Sequence, residues 1–367
     1  MGMRVCIFSA MPILTPTEEL RRILISRTDG LGDVIATLPM AVALKELAPQ
    51  AEIAFLTTPY TAPIVRRVEQ VDRVLTISKM RKGLHVMRIY RPDAIIFARP
   101  DFKLAVESVL ARIDVRIGTG YRFYSGLFTR WVYEHRKKGA RHEAQYGVNL
   151  LSPLFAGELS VRMPELVPSP QGQAEAARRL AESGIVGEYF VIHPGSRGSA
   201  ATYSPTGYGT VAQALLREYP DLSIVITAGP GEERLAHQVV QNAGGTAAWG
   251  GRIAVVEDLS LDGLSELLRN ARGFLGSSSG PAHLAALVHT PVVGLYPGLP
   301  PVWPARWRPL GEHVSTLVPH PDEEFCETCA KDHQPENCVK RINPERVLEA
   351  CRRMLIGHDT GAEDYIS

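Results

Sequence analysis

The 367-residue chain is poor in several things, and each shortage excludes something. Five cysteines are too few for a disulfide-dense secreted scaffold and point to a reducing compartment. No uninterrupted apolar stretch approaches the roughly 20 residues needed to span a bilayer. Aromatics make up 7% of the chain, too few to interleave a basic surface as single-strand nucleic-acid platforms do. Charge of neither sign dominates, the formal net being +1, and lysine is missing altogether between Lys138 and Lys331. There is no low-complexity segment and no short repeat. With 45% hydrophobic and 22% charged residues, extensive disorder and collagen-like structure are excluded as well. The length suits two domains of about 150 residues each better than one core. The opening MGMRVCIFSAMPIL carries one positive charge, a short apolar run and no clear small-residue cleavage site. It reads as an extra strand or a loose arm rather than a signal peptide.

The small net charge hides an asymmetry. Residues Ala62 to His142 hold 18 Lys+Arg against 7 Asp+Glu, a local balance of +11, so the remainder carries −10. Such a block inside a folded domain suits an anionic partner, although a solvated basic face is an equally good reading.

Short β-branched runs alternate with helical stretches throughout. ILIS (Ile23 to Ser26), AEIAFLT (Ala51 to Thr57), RVLTI (Arg73 to Ile77), DAIIFA (Asp93 to Ala98) and VRIGTG (Val115 to Gly120) read as strands. A helix from Val34 to Leu47 follows the first, with Pro39 bending it or confining its first turn. MPELVPSPQGQ (Met163 to Gln173) has three prolines and no apolar period, and reads as an interdomain linker. The pattern then restarts with strands at YFVIH (Tyr189), LSIVIT (Leu222), IAVV (Ile253), GFLG (Gly273) and PVVGLY (Pro291). Strand–helix alternation on this scale implies a parallel sheet covered on both faces, twice over. The expected boundaries are an extension at 1–21, a first Rossmann-like domain at 22–165, a second at 174–343, and a terminal helix with its tail at 344–367. Open sheets of this kind bind ligands beyond the carboxyl ends of their strands, so the cleft between the domains is the expected site.

Four clusters carry chemistry. Asp29-Gly30-Leu31-Gly32-Asp33 lies at the turn from the first strand into a helix, where the glycines allow close approach and Asp33 could accept a proton. A plain N-cap with turn glycines is the competing reading, and the pattern is not the GxGxxG of dehydrogenases. Ser277-Ser278-Ser279-Gly280-Pro281-Ala282-His283 opens a later helix and presents backbone N–H groups suited to a phosphate; capping alone is the alternative. His283 on its own reads as a core histidine. His193-Pro194-Gly195-Ser196-Arg197 leaves the first strand of the second domain, with Arg197 a natural fork for a phosphate. Cys326, Cys329, His333 and Cys338 fall within 13 residues, a spacing that suits a closed structural zinc site; a disulfide is the alternative.

Taken together these stretches resemble glycosyltransferase family 9, the ADP-heptose:lipopolysaccharide heptosyltransferases and their relatives. RILISRTDGLGDVIATLPMAVALKELAP, RIGTGYRF, HEAQYGVNLL, HPGS, SSSGPAHLAALVHTPVVGLYP and the WRPLG…CETC…CVKRINPERV tail match in order, from about Arg22 to Arg346. The resemblance implies a GT-B architecture of two Rossmann-like domains and an inverting, metal-independent transfer, with no cofactor needed for catalysis. It implies Asp33 as catalytic base beside an acceptor turn of Asp29, Gly30 and Gly32. The donor nucleotide-diphospho-sugar, an ADP-sugar by preference, would be held by His193, Gly195, Ser196, Arg197, Glu232, Ser278, Ser279, Gly280, Pro281 and His283. The acceptor would be an anionic glycan or glycolipid, which places the enzyme in the cytoplasm, peripheral to the inner membrane. Two positions differ from the family: SRGSAATY stands where a lysine is usual, near a tryptophan replaced here by Tyr203, and Ser278 replaces an aspartate. A catalytically silent or non-heptose relative and, in another class, a nucleic-acid binder using the 62–142 block are the rival readings.

Overall fold

The computed structural model describes residues 20–357, apart from 81, 137–138, 156, 158, 197, 199, 300–301 and 320–337. The first half builds a parallel sheet from β1 (Arg22–Ser26), β2 (Glu52–Thr57), β3 (Arg73–Thr76), β4 (Ala94–Phe97), β5 (Val115–Thr119) and β6 (Arg130–Val132), in the order β3-β2-β1-β4-β5-β6. Its helices are α1 (Leu31–Ile35), α2 (Leu38–Leu47), α3 (Ala62–Val65), α4 (Gly83–Tyr90), α5 (Phe102–Leu110) and α6 (Glu143–Asn149). The second half contributes α7 (Pro170–Glu182), β7 (Tyr189–His193), α8 (Pro205–Glu218), β8 (Ser223–Thr227), α9 (Glu233–Asn242), β9 (Ile253–Val256) and α10 (Leu261–Arg269). It continues with β10 (Phe274–Ser277), α11 (Gly280–Leu287), β11 (Val292–Leu295), α12 (Pro304–Trp307), β12 (Val314–Leu317) and α13 (Pro344–Leu355). Its sheet, also parallel, has the order β12-β11-β10-β7-β8-β9.

Both sheets therefore have the same plan. The first strand is central, the next two lie on one side and the last three on the other, so the order reverses between β1 and β4 and again between β7 and β10. These are the switch points where open sheets leave a crevice. Strands β1, β2, β4, β7, β8, β10 and β11 are buried on both faces, which is why they read as continuous apolar runs rather than alternating ones. One apolar cluster runs from Ile23, Val34 and Leu38 through Leu166 to Val191, Leu267 and Ala282, so the two halves share a core. The outer faces have their own clusters, one around Leu24, Phe97 and Phe128 and one around Phe190, Tyr208 and Cys351. No helix among the described residues is long and apolar enough to cross a membrane.

Three local features differ from the sequence reading. The helix expected over Val34–Leu47 is two helices, broken at Ala36–Thr37, with Pro39 in the first turn of α2 where its missing N–H costs nothing. Thr37 Oγ1 bonds back to Asp33 O at 2.8 Å. The linker is shorter than 163–173, because Ser169 caps α7 by accepting from Gly172 N at 3.0 Å and Pro170 starts the helix. Finally, the sequence pattern does not mark α4, α6, α7, α12, β6 or β12.

The halves are clasped behind the linker by Arg67. Its guanidinium reaches Asp262 Oδ1 at 2.9 Å, Ser265 Oγ at 2.6 Å and the buried Glu266 carboxylate, and Nε donates to Val167 O at 2.6 Å.

Candidate active site

The glycine turn after β1 and the serine turn after β10 meet face to face. Gly32 packs against the His283 ring so closely that a Cβ there would lie 2.9 Å from His283 Cδ2. A Cβ on Gly280 would lie 2.9 Å from Leu31 Cβ. Glycine at both positions is thus set by contact between two helix starts, not by backbone angle. Beside the contact opens a cleft of about 420 Å³, lined from the first half by Gly30, Leu31, Gly32 and Asp33. The second half lines it with Gly198, Ala200 and Ala201, with Ser278, Ser279, Gly280 and His283, and with Pro297, Val302 and Trp307.

Asp33 is held from behind. Arg27, buried at the end of β1, donates Nη2 to Asp33 Oδ1, Nε to Asp29 Oδ1 at 2.7 Å and Nη1 to Ala98 O at 3.3 Å. Burial pushes the Asp33 carboxyl up; Arg27 pulls it back and Asp29 pushes it up again, and the balance lies above the ordinary carboxylate value. A carboxylate fixed at one oxygen and made more basic is fitted to take a proton.

Arg27 Nη1 also lies 3.4 Å from Glu143 Oε1, and Glu143 gathers two further guanidiniums. Arg136 Nη1 reaches it at 3.0 Å, and Arg306 of α12 at 2.9 Å through Nη2 and 3.1 Å through Nε. Burial alone would raise the Glu143 carboxyl, but Arg136, Arg27 and Arg306 outweigh it and hold it below its usual value. The neighbouring His142 accepts from Ala144 N at Nδ1 and donates Nε2–H to Arg308 O at 2.8 Å, which fixes the neutral tautomer. Burial lowers its pKa, in keeping with that tautomer. The start of α6 in the first half is therefore gripped by the 303–308 segment of the second.

Across the cleft, α11 lacks the side-chain cap bond that the other α-helices starting at Ser, Asp or Asn make. Asp101, Ser169, Ser204, Ser260 and Asn343 all cap their helices through side-chain hydrogen bonds. Ser279, at the same position on α11, makes no such bond, and its buried Oγ has no hydrogen-bond partner among the described residues. A buried hydroxyl left open at a helix N-terminus is ready to donate a hydrogen bond to an anion. His283 behind it is almost wholly buried; burial, with a smaller push from His142, lowers its pKa to about 3, so it stays neutral.

The remaining candidates fall beside the cleft rather than on its wall. His193 Nδ1 shares a 2.9 Å hydrogen bond with Thr227 Oγ1, and its Nε2 lies 3.5 Å from Glu232 Oε2. Glu232 accepts from Gly229 N at 3.0 Å and covers Gly195, where a Cβ would come within 2.2 Å of the carboxylate. Ser196 Oγ donates to Ala200 O at 2.7 Å and shapes the loop that reaches the cleft. Asp29 faces Arg27 and, at 3.7 Å, Arg99. Pro281 sits in the first turn of α11. Tyr203 is buried, with its hydroxyl donating to Ile342 O at 2.8 Å, and so ties the loop to the segment before α13. Arg197, Cys326, Cys329 and His333 lie outside the described residues, while Cys338 is buried and accepts from Gly298 N at 3.4 Å. Arg27, Glu143, Arg136 and Arg306 escaped the sequence reading, although Arg27 and Glu143 stand inside the RTDGLGD and HEAQYG stretches.

Residues 80–340 match glycosyltransferase family 9 (heptosyltransferase). The chain is 25% identical over 349 residues to lipopolysaccharide heptosyltransferase 3 of Escherichia coli, covering 90% of this chain and 98% of that protein. A family 9 glycosyl transferase structure from Veillonella parvula superposes with a TM-score of 0.77 at 17% identity, covering 94% of this chain and 99% of the other. The structure of E. coli ADP-heptose lipopolysaccharide heptosyltransferase II does so with a TM-score of 0.74 at 18% identity, covering 92% and 99%. The shared fold is GT-B, two Rossmann-like halves facing a cleft, as the sequence patterns imply. The chain belongs to glycosyltransferase family 9 and is a glycosyltransferase.

Proposed function

We propose that the protein transfers a heptose or closely related sugar from an ADP-sugar to a hydroxyl of a lipopolysaccharide-type acceptor, with inversion at the anomeric carbon. The observation that carries this is the pairing of Asp33 with the open start of α11 across one cleft. Asp33 takes the proton of the acceptor hydroxyl as its oxygen attacks the anomeric carbon, and the bond from that carbon to the diphosphate breaks. The departing ADP gains negative charge, which the α11 N-terminus and the Ser279 hydroxyl are placed to stabilise. Arg27 orients the base and keeps it ionised before attack.

The preference for ADP and heptose rests on the name of the E. coli enzyme with the same fold, ADP-heptose lipopolysaccharide heptosyltransferase II. The preference for an anionic acceptor rests on the +11 balance of residues 62–142. A thermal-shift screen of nucleotides tests the donor directly, because a ligand that binds only the folded state raises its melting temperature. ADP and ADP-heptose should raise it while UDP, GDP and CDP leave it unchanged. A response to UDP with none to ADP overturns the donor assignment.

A further inference from the structure

The connection from β5 to β6 carries aromatic rings outward. Phe123 is 89% exposed, and Phe102, Tyr121, Trp131 and Tyr133 are each about half exposed or more. They form one surface. Phe102, Phe123 and Tyr124 lie with ring centroids 5.1–5.4 Å apart. Tyr121 packs on Tyr133 at 5.3 Å and bonds His135 Nε2 at 3.0 Å. The rings are held rather than trailing: Trp131 Nε1 donates to Ser125 O at 2.7 Å, and Ser125 Oγ donates to Thr119 O at 2.7 Å. Around them stand the exposed cations Arg99, Lys103 and Arg122. Of the nearby acids, Asp101 caps α5 through Leu104 N at 3.0 Å and Glu134 pairs with Arg141 at 2.9 Å.

We propose that this aromatic, cation-flanked surface docks on an anionic lipid bilayer, with Phe123 entering the headgroup boundary. Exposed aromatics beside Arg and Lys are the combination that anchors a protein at a charged interface. Two other occupants fit less well. In a symmetric dimer the same cations would face one another across the contact. A single-stranded nucleic acid needs ring faces free for stacking, whereas these rings are packed on each other. The placement is also functional. The surface lies beyond the carboxyl ends of β4 and β5, on the same edge as the cleft, and Arg99 Nε is 3.7 Å from Asp29 Oδ2 in the glycine turn. This extends the transferase reading: a lipid-embedded acceptor could present its sugar to Asp33 while the protein stays on the membrane surface.

The test is co-sedimentation of the full chain with vesicles of phosphatidylethanolamine and phosphatidylglycerol, against pure phosphatidylcholine, at about 0.1 M salt. Wild type should bind the anionic vesicles and release them as salt rises. Phe123→Ser should weaken partitioning about tenfold or more, and Arg122→Ala about fivefold. Both variants should keep the wild-type melting temperature and ADP affinity. Equal binding by wild type and Phe123→Ser, or none by either, overturns the proposal. So does binding to an oligonucleotide but not to vesicles, or a lipid-free dimer that Phe123→Ser dissociates. Vesicle binding and ADP binding are read separately, so failure of the transferase reading appears as absent ADP binding with docking intact.

Discussion

Replacing Glu143 by Gln keeps the shape of the side chain and removes the charge on which three guanidiniums converge. Glu143 is 4% exposed, and its oxygens lie 3.4 Å from Arg27, 3.0 Å from Arg136 and 2.9 Å from Arg306. Removing one member of a buried ion cluster costs about 3–5 kcal/mol, because the partners are left charged and desolvated. Three separate charged hydrogen bonds at about 1.5–3 kcal/mol each would exceed this, but the Gln carbonyl keeps one acceptor, so the loss stays near the smaller figure. At about 2–4 °C per kcal/mol for a domain of this size, the melting temperature should fall by roughly 6–20 °C. The pH dependence follows from the sign of the shift. The folded-state pKa lies below the ordinary value of 4.5, so the stabilisation is full above that value and is lost as pH falls through the folded pKa. Calorimetric scans of both proteins should show the full gap at pH 7 and a narrowing gap below about pH 4.5. A variant melting within about 2 °C of wild type at pH 7, or a gap that persists in acid, would refute the cluster as described.

His283 has a folded-state pKa of about 3 against 6.5 unfolded, so its contribution is present above 6.5 and is lost as pH falls towards 3. Wild type should lose about 2 kcal/mol more than His283→Gln between pH 6.5 and 5, read from urea unfolding; parallel curves would contradict the burial. Ser279→Ala removes a hydroxyl that bonds nothing described, so stability should stay within about 0.5 kcal/mol. ADP affinity by calorimetry should nonetheless drop about tenfold or more; unchanged affinity would remove Ser279 from the diphosphate site. Arg67→Ala should cost about 2–3 kcal/mol and speed proteolysis at 163–169, and an unchanged cleavage rate would show that the clasp does not hold the halves.

The central strands were legible because they are short apolar runs buried on both faces, and the glycine and serine turns because they punctuate those runs. What escaped depends on distance in sequence. Glu143 is 116 residues from Arg27 and 163 from Arg306, and nothing periodic marks either pairing. β6 is three residues, Arg-Trp-Val, on a sheet edge with its tryptophan exposed, so it has no apolar pattern to betray it. The break between α1 and α2 is invisible in the hydrophobic pattern because both helices bury their residues on a common core. Ser279 reads as a phosphate-site residue with capping as the alternative, and the structure leaves its hydroxyl without a cap bond, whereas Glu232 and His193, read as donor ligands, lie beside the cleft with Oε2 and Nε2 3.5 Å apart.

The base assignment to Asp33 is tested most directly by Asp33→Asn, comparing single-turnover transfer from ADP-heptose with ADP affinity in the same preparation. Transfer should fall about 10²- to 10⁴-fold, the range for losing a general base, while ADP affinity and melting temperature stay at wild-type values. Transfer retained near the wild-type rate, with a melting temperature several degrees lower, would make Asp33 a structural residue of the glycine turn and contradict the mechanism.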